Sequence, residues 1–109
     1  VYATASPDEI AAAQTALGAE RAASLVEAAF RAIAVTLAAN GVRAFVVAGG
    51  ETSGAVVDAL GVRALAIGPE IDPGVPWTRA VGDEPFWLAL KSGNFGGPDF
   101  FAKATAALR

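Results

Sequence analysis

Ala44-Phe45-Val46-Val47-Ala48-Gly49-Gly50-Glu51-Thr52-Ser53-Gly54 is the stretch that decides the architecture of this chain. Five apolar residues without alternation read as a strand covered on both faces. The glycine-rich segment Gly49–Gly54 behind it predicts a turn, and Ala55–Leu60 a short helix stopped by Gly61. A second buried strand is expected at Ala64-Leu65-Ala66-Ile67. Strand, loop, helix and strand in that order make a βαβ unit, so the sheet should be at least partly parallel.

Upstream, the pattern is helical. Ser6-Pro7-Asp8-Glu9 combines an N-cap serine, a proline suited to the first helical position and the glutamate of a capping box. That helix is expected to reach about Leu17, where Gly18 interrupts it. A longer helix follows over Ala19–Ala39, with Leu25, Ala29, Ile33 and Leu37 as an apolar stripe and Val26 and Phe30 beside it. Glu27 and Arg31 are spaced as a favourable i,i+4 pair, and Asn40-Gly41 suits a left-handed C-cap. Val1–Ala5 is a short β-prone run.

Downstream, Gly68–Pro76 reads as a loop because of Pro69, Pro73 and Pro76, with strands expected at Trp77–Val81 and Phe86–Leu90. Lys91–Gly97 is a second glycine-rich loop, and Pro98-Asp99 opens a terminal helix over Pro98–Leu108. The expected fold class is α/β: a three-layer-like sheet with a parallel βαβ unit flanked by helices. Residues 1–109 are expected to form a single domain.

Composition narrows the function. Apolar residues make up 54% of the 109, and charged residues 17%, so disorder is excluded and some apolar surface is expected to pack on another body. The eight Lys and Arg are scattered and the net charge is −3, which argues against a nucleic-acid footprint. The apolar segment Ala22–Ala39 is interrupted by Glu27 and Arg31, so a membrane span is not expected. No histidine and no cysteine occur, which removes serine–histidine catalysis, thiolate chemistry and the commonest metal ligands. The chain holds no methionine and opens on Val1-Tyr2. It is therefore expected to be a fragment, the incomplete C-terminal domain of something larger.

What chemistry remains lies in the two glycine-rich loops. Each follows an apolar strand and precedes a helix. Ligands of open α/β sheets bind at the carboxyl ends of the strands. A helix N-terminus there offers free N–H groups and partial positive charge to an anion. In the first loop, Gly49, Gly50 and Gly54 permit close backbone approach, and Thr52 and Ser53 add hydroxyls. Glu51 repels a bare phosphate. It fits coordination of a magnesium ion, a hydrogen bond to a ribose, or orientation of the loop. Neither the Walker A spacing nor the dinucleotide fingerprint is present, and a ligand-free strand-to-helix turn is the competing reading. In the second loop, Lys91 can reach a phosphate or stand solvated, and Asn94 can contact a ligand or fill a left-handed turn position. Phe95 reads as core ahead of base stacking. Two such loops at one sheet edge would pinch a single ligand.

The remaining polar and aromatic candidates read structurally. Asp72 suits a turn before Pro73, Trp77 and Trp87 suit packing ahead of adenine stacking, and Asp83-Glu84 a solvated turn.

Three segments carry a resemblance: Phe45–Gly54, Ile67-Gly68-Pro69-Glu70-Ile71-Asp72-Pro73-Gly74-Val75-Pro76-Trp77, and Leu90-Lys91-Ser92-Gly93-Asn94-Phe95-Gly96-Gly97-Pro98-Asp99-Phe100-Phe101. In this order they resemble the C-terminal nucleotide-binding domain of the four-carbon acid sugar kinase family, from about Ser6 to the end of the chain. The resemblance implies ATP-dependent phosphorylation of the terminal hydroxyl of threonate, erythronate or 3-oxo-tetronate type acids, with ATP accompanied by Mg2+. It implies nucleotide contacts at Gly49, Gly50, Glu51 and Thr52, and at one glycine of the second loop, Gly93 or Gly96. Ser53, Gly54 and Asn94 extend that set by position. The sugar-acid pocket belongs to the family's N-terminal domain and the catalytic base lies outside this chain, so no catalytic residue and no metal ligand is assigned here, and this chain alone is expected to be inactive. A bacterial cytoplasmic setting and association with the rest of the chain or with a second copy are the expected context. The competing functions are a non-catalytic nucleotide- or anion-binding module and a structural α/β interaction domain.

Overall fold

The computed structural model describes Val1–Ala3 and Ala5–Leu108. Its elements run α1 (Pro7–Leu17), α2 (Ala19–Ala39), β1 (Ala44–Ala48), α3 (Gly50–Ala59), β2 (Leu65–Asp72), β3 (Val75–Ala80), β4 (Trp87–Lys91) and α4 (Phe100–Ala107).

The helix boundaries follow the local chemistry. Ser6 caps α1 through a full capping box, with the Glu9 carboxylate accepting from the Ser6 N–H at 2.9 Å. Gly18, at φ +80°, closes α1 and opens α2. Gly41, at φ +92°, ends α2 in the left-handed region as the Asn40-Gly41 pair predicts. The β-prone reading of Val1–Ala5 meets no strand at Val1–Ala3 or Ala5, and Thr4 lies outside the described residues.

The four strands form one mixed sheet in the order β1-β4-β3-β2. β1 and β4 are parallel, with Ala48 level with Lys91. β3 runs antiparallel to both β4 and β2. The partly parallel sheet is therefore as expected, but its parallel pair is β1 with β4. The βαβ crossover carries β2 to the far edge in the same direction as β1, with β4 and β3 between them. Strand order depends on pairings distant in sequence, which the local pattern does not encode.

Both faces of the sheet are covered. Phe45, Val47, Leu88 and Ala80 pack with Val56 of α3 and Ala34 of α2. On the opposite face Val75, Trp77 and Ala89 pack with Phe100 and Ala104 of α4. Odd and even residues of β1 and β4 divide between the two clusters, as the pleat demands. The result is the expected three-layer arrangement.

Three local expectations are corrected. The segment Gly49–Gly54 is not a loop: one glycine, Gly49 at φ +108°, makes the whole turn, and Gly50 to Gly54 already belong to α3. The segment Gly68–Pro76 is a β-hairpin: Pro69 lies at a register break of β2, an edge strand, Pro73 lies in the turn, and Pro76 sits in β3 opposite Glu70. Gly68 is required there, since a Cβ would stand 2.8 Å from the Trp77 carbonyl oxygen. Finally, Arg31 pairs with Asp58 of α3 and not with Glu27. That contact turns the 27/31/34/38 side of α2 towards α3 and leaves Leu25, Val26 and Leu37 of the apolar stripe exposed. By length and composition α2 is apolar enough to cross a membrane, whereas Arg31 ties it to α3.

Candidate functional site

Because β1 and β4 are parallel neighbours, their carboxyl ends emerge side by side. Both glycine-rich segments leave from that one edge. The Gly49 N–H donates to the Lys91 carbonyl at 2.7 Å, so the first turn is stitched to the root of the second loop. A Cβ on Gly50 would stand 3.8 Å from the Ser92 hydroxyl. The start of α3 and the second loop thus lie side by side at this point.

The first turn ends in an open helix N-terminus. Gly49 is the N-cap and brings no capping side chain. The N–H groups of Gly50, Glu51 and Thr52 precede the first intrahelical bonds and are free to donate. Ser53 N–H is taken by the Gly49 carbonyl at 2.9 Å. Glu51 is exposed and Thr52 half-buried, with its hydroxyl near Gly49. Ser53 points inward: the residue is buried, and among the described residues its hydroxyl has no hydrogen-bond partner. Gly54 is exposed one turn further along, with open space where a Cβ would be.

In the second loop the two candidate glycines occupy different surroundings. Gly93, at φ +54°, faces open space. Gly96, at φ +84°, is wedged against Phe100 and the Lys91 side chain at 3.2 and 3.3 Å from a notional Cβ. Lys91 folds over the loop and donates to the Gly93 carbonyl at 2.9 Å. Asn94 is exposed beside it.

Phe95 is not in the core. It is more than half exposed, with its ring edge lying on Gly74 at the tip of the β2–β3 hairpin, so close that a Cβ there would stand 2.8 Å away. Trp77 is buried, and its indole N–H donates to the Ala104 carbonyl at 3.1 Å. Trp87 lies at the amino end of β4, away from the loops, under Arg79. Asp83 and Glu84 are exposed, and Glu84 reaches Arg43 at 3.5 Å.

Asp72 departs from its expected turn role. Its carboxylate is buried and accepts from Lys103 of α4 at 2.8 Å and from the Gly97 N–H at 3.1 Å. Lys103 also reaches Asp99 at 3.2 Å. This cluster clamps the far end of the second loop between β2 and α4. The Lys103 ammonium, followed by the Gly97 N–H, lowers the Asp72 pKa, and Asp72, followed by Asp99, raises that of Lys103. Sequence reasoning misses this contact because its partners lie 31 residues apart. It also passes over Ser92, whose hydroxyl faces Gly50. Among the described residues no cluster of three or more acidic side chains forms a metal cage.

Comparisons with known proteins show the family and the fold. A family profile described as a nucleotide-binding C-terminal domain matches residues 1–101. A 3-oxo-tetronate kinase of Burkholderia multivorans is 65% identical over 108 residues, which is 99% of this chain and 25% of that protein. The chain spans about a quarter of the length of the curated relatives it matches. A crystal structure of a Haemophilus influenzae protein superimposes with a TM-score of 0.92 at 46% identity, covering 100% of this chain and 26% of the other. A Bordetella bronchiseptica domain of unknown function, solved with citrate as a domain-swapped dimer, follows with a TM-score of 0.70 at 28% identity, over 80% of this chain and 23% of its own.

Proposed function

The chain belongs to the nucleotide-binding C-terminal domain family, the C-terminal part of four-carbon acid sugar kinases, and on that premise we propose that it supplies an ATP-binding portion of such a kinase. The observation that carries the reading is the juxtaposition of both glycine-rich segments at the carboxyl ends of two adjacent parallel strands, joined by the Gly49–Lys91 bond.

The residues fit a nucleotide polyphosphate. Free N–H groups of Gly50, Glu51 and Thr52 at the start of α3 suit phosphate oxygens, and the Thr52 and Ser92 hydroxyls flank them. The open side of Gly93 favours that glycine, ahead of Gly96, as the contact of the second loop, and Asn94 lies within the same loop. Gly54 lies on the exposed face of α3, one turn beyond the free N–H groups. Ser53 lies on the buried side of α3, behind the free N–H groups. Lys91 orders the second loop through the Gly93 carbonyl and can swing its ammonium toward phosphate. Magnesium usually keeps several waters and takes one or two carboxylates together with substrate phosphates. Glu51 is suited to be that carboxylate.

Phosphoryl transfer depends mainly on positioning and charge stabilisation. These residues hold the donor and screen its charge. The acceptor hydroxyl of a 3-oxo-tetronate type acid, the base that takes its proton and the cytoplasmic setting all belong to the proposed whole protein. Full-length protein given ATP and a four-carbon sugar acid should release ADP in step with phosphorylated acid. The 109-residue chain alone should release none. Acid-dependent ADP release by the chain alone, or its absence from the full-length protein across this class of acids, would overturn the reading.

A further inference from the structure

The two edges of the sheet are built differently. The β2 edge carries Pro69, Glu70 and two register breaks, the devices by which natural sheets blunt an exposed edge. The β1 edge, Ala44-Phe45-Val46-Val47-Ala48, has no charge, no proline and no irregularity in its pairing. The Arg43 carbonyl and the Gly49 N–H both bond towards β4. In an extended strand the odd residues then face β4. Ala44, Val46 and Ala48 turn their N–H and C=O groups to the open side.

That open side borders an apolar trough of about 660 Å³. Val46 and Ala48 of β1 line it, with Val26, Ile33 and Leu37 of α2, Phe101 of α4 and the amino-terminal residues Val1–Ala3. Leu25, Val26 and Leu37 are exposed, and α2 buries only Ala34 among its 21 residues. A strand that is apolar on both faces belongs in the interior of a sheet, and an apolar helix stripe belongs against a partner. The trough runs on to Gly49 and Thr52, so whatever fills it adjoins the nucleotide loop.

We propose that the trough seats a β-strand from the part of the full-length kinase outside this chain, added beside β1 and packed beneath α2. The inference rests on reading the chain as one domain of a longer protein. The relatives offer the material, since about three quarters of their length lies outside the matched region.

Amide hydrogen exchange on the full-length protein without nucleotide tests this independently of ATP binding. The Ala44, Val46 and Ala48 amides should exchange as slowly as those of Phe45 and Val47. Exchange at the rate of exposed loops would overturn the proposal. Val46→Pro removes one outward donor and no bond to β4. It should strip protection from the two outward amides that remain, Ala44 and Ala48, while those facing β4 stay protected, and the effect should not vary with protein concentration. A concentration-dependent effect with loss of a dimer in light scattering would make a second copy the occupant and overturn it. Should Val46→Pro fail to fold, Leu37→Asp on the facing helix must produce the same loss. Full protection in that variant would equally contradict the proposal.

Discussion

Gly93 and Gly96 separate two uses of the same residue type. Both have positive φ, but Gly96 is also packed against Phe100 and Lys91, whereas Gly93 opens to space. Gly96→Ala should therefore cost about 1–3 kcal/mol in urea unfolding, from backbone strain and forced repacking. Gly93→Ala pays only for its left-handed φ, about 1–2 kcal/mol, and should weaken ATP binding out of proportion to that loss. Equal effects of the two variants on affinity would remove the distinction. Much of this scale is legible in the sequence: a glycine pair behind an apolar run announces a turn, and Gly49 and Gly50 are where the pattern puts them. The inward aim of Ser53 is not legible, because which side of a helix faces the sheet depends on packing.

At the scale of elements, the contact that fixes the second loop joins β2 to α4 through Asp72, Lys103 and the Gly97 N–H. A lowered carboxylate pKa gives stability that is present above its unfolded value, about 3.9, and lost as pH falls through the folded value. A raised lysine pKa gives stability that is complete below about 10.4 and lost as pH rises through the folded value. The clamp should therefore hold across the neutral range and fail at both ends. Asp72→Asn keeps an acceptor for Gly97 but loses the charge facing Lys103. Urea midpoints should show the wild type ahead of Asp72→Asn at pH 7 and the gap closing below about pH 4. A gap independent of pH would mean that charge plays no part. The sequence conceals this clamp because nothing local marks Asp72 as buried. It conceals the packed side of α2 for a related reason: the most apolar stripe is the obvious choice for the core, yet Arg31 and Asp58 turn the 27/31/34/38 side inward. The stripe is left for the trough.

At the scale of the whole molecule, strand order turns two separate glycine loops into one site. The sequence shows two strand–loop–helix units but not that β4 slots in beside β1 and pushes β2 to the far edge. The three-layer arrangement follows from composition and apolar runs. The adjacency of the loops, on which the function depends, follows from long-range pairing alone. The same order leaves β1 as an edge, so the nucleotide loop and the proposed seat of the remaining chain share one strand.

If these adjacent loops cradle ATP, calorimetric titration of Mg-ATP will separate the full-length protein from its Gly50→Val variant. Gly50 has ordinary φ, and a β-carbon there would stand 3.8 Å from the Ser92 hydroxyl, so a side chain is tolerated at the backbone and the valine methyls fill the gap towards Ser92. A melt of both proteins checks that folding is intact. The wild type should bind saturably, and a variant that melts normally should lose at least about tenfold in affinity, about 1.4 kcal/mol. Undiminished binding by a folded Gly50→Val protein would place the nucleotide elsewhere and contradict the account.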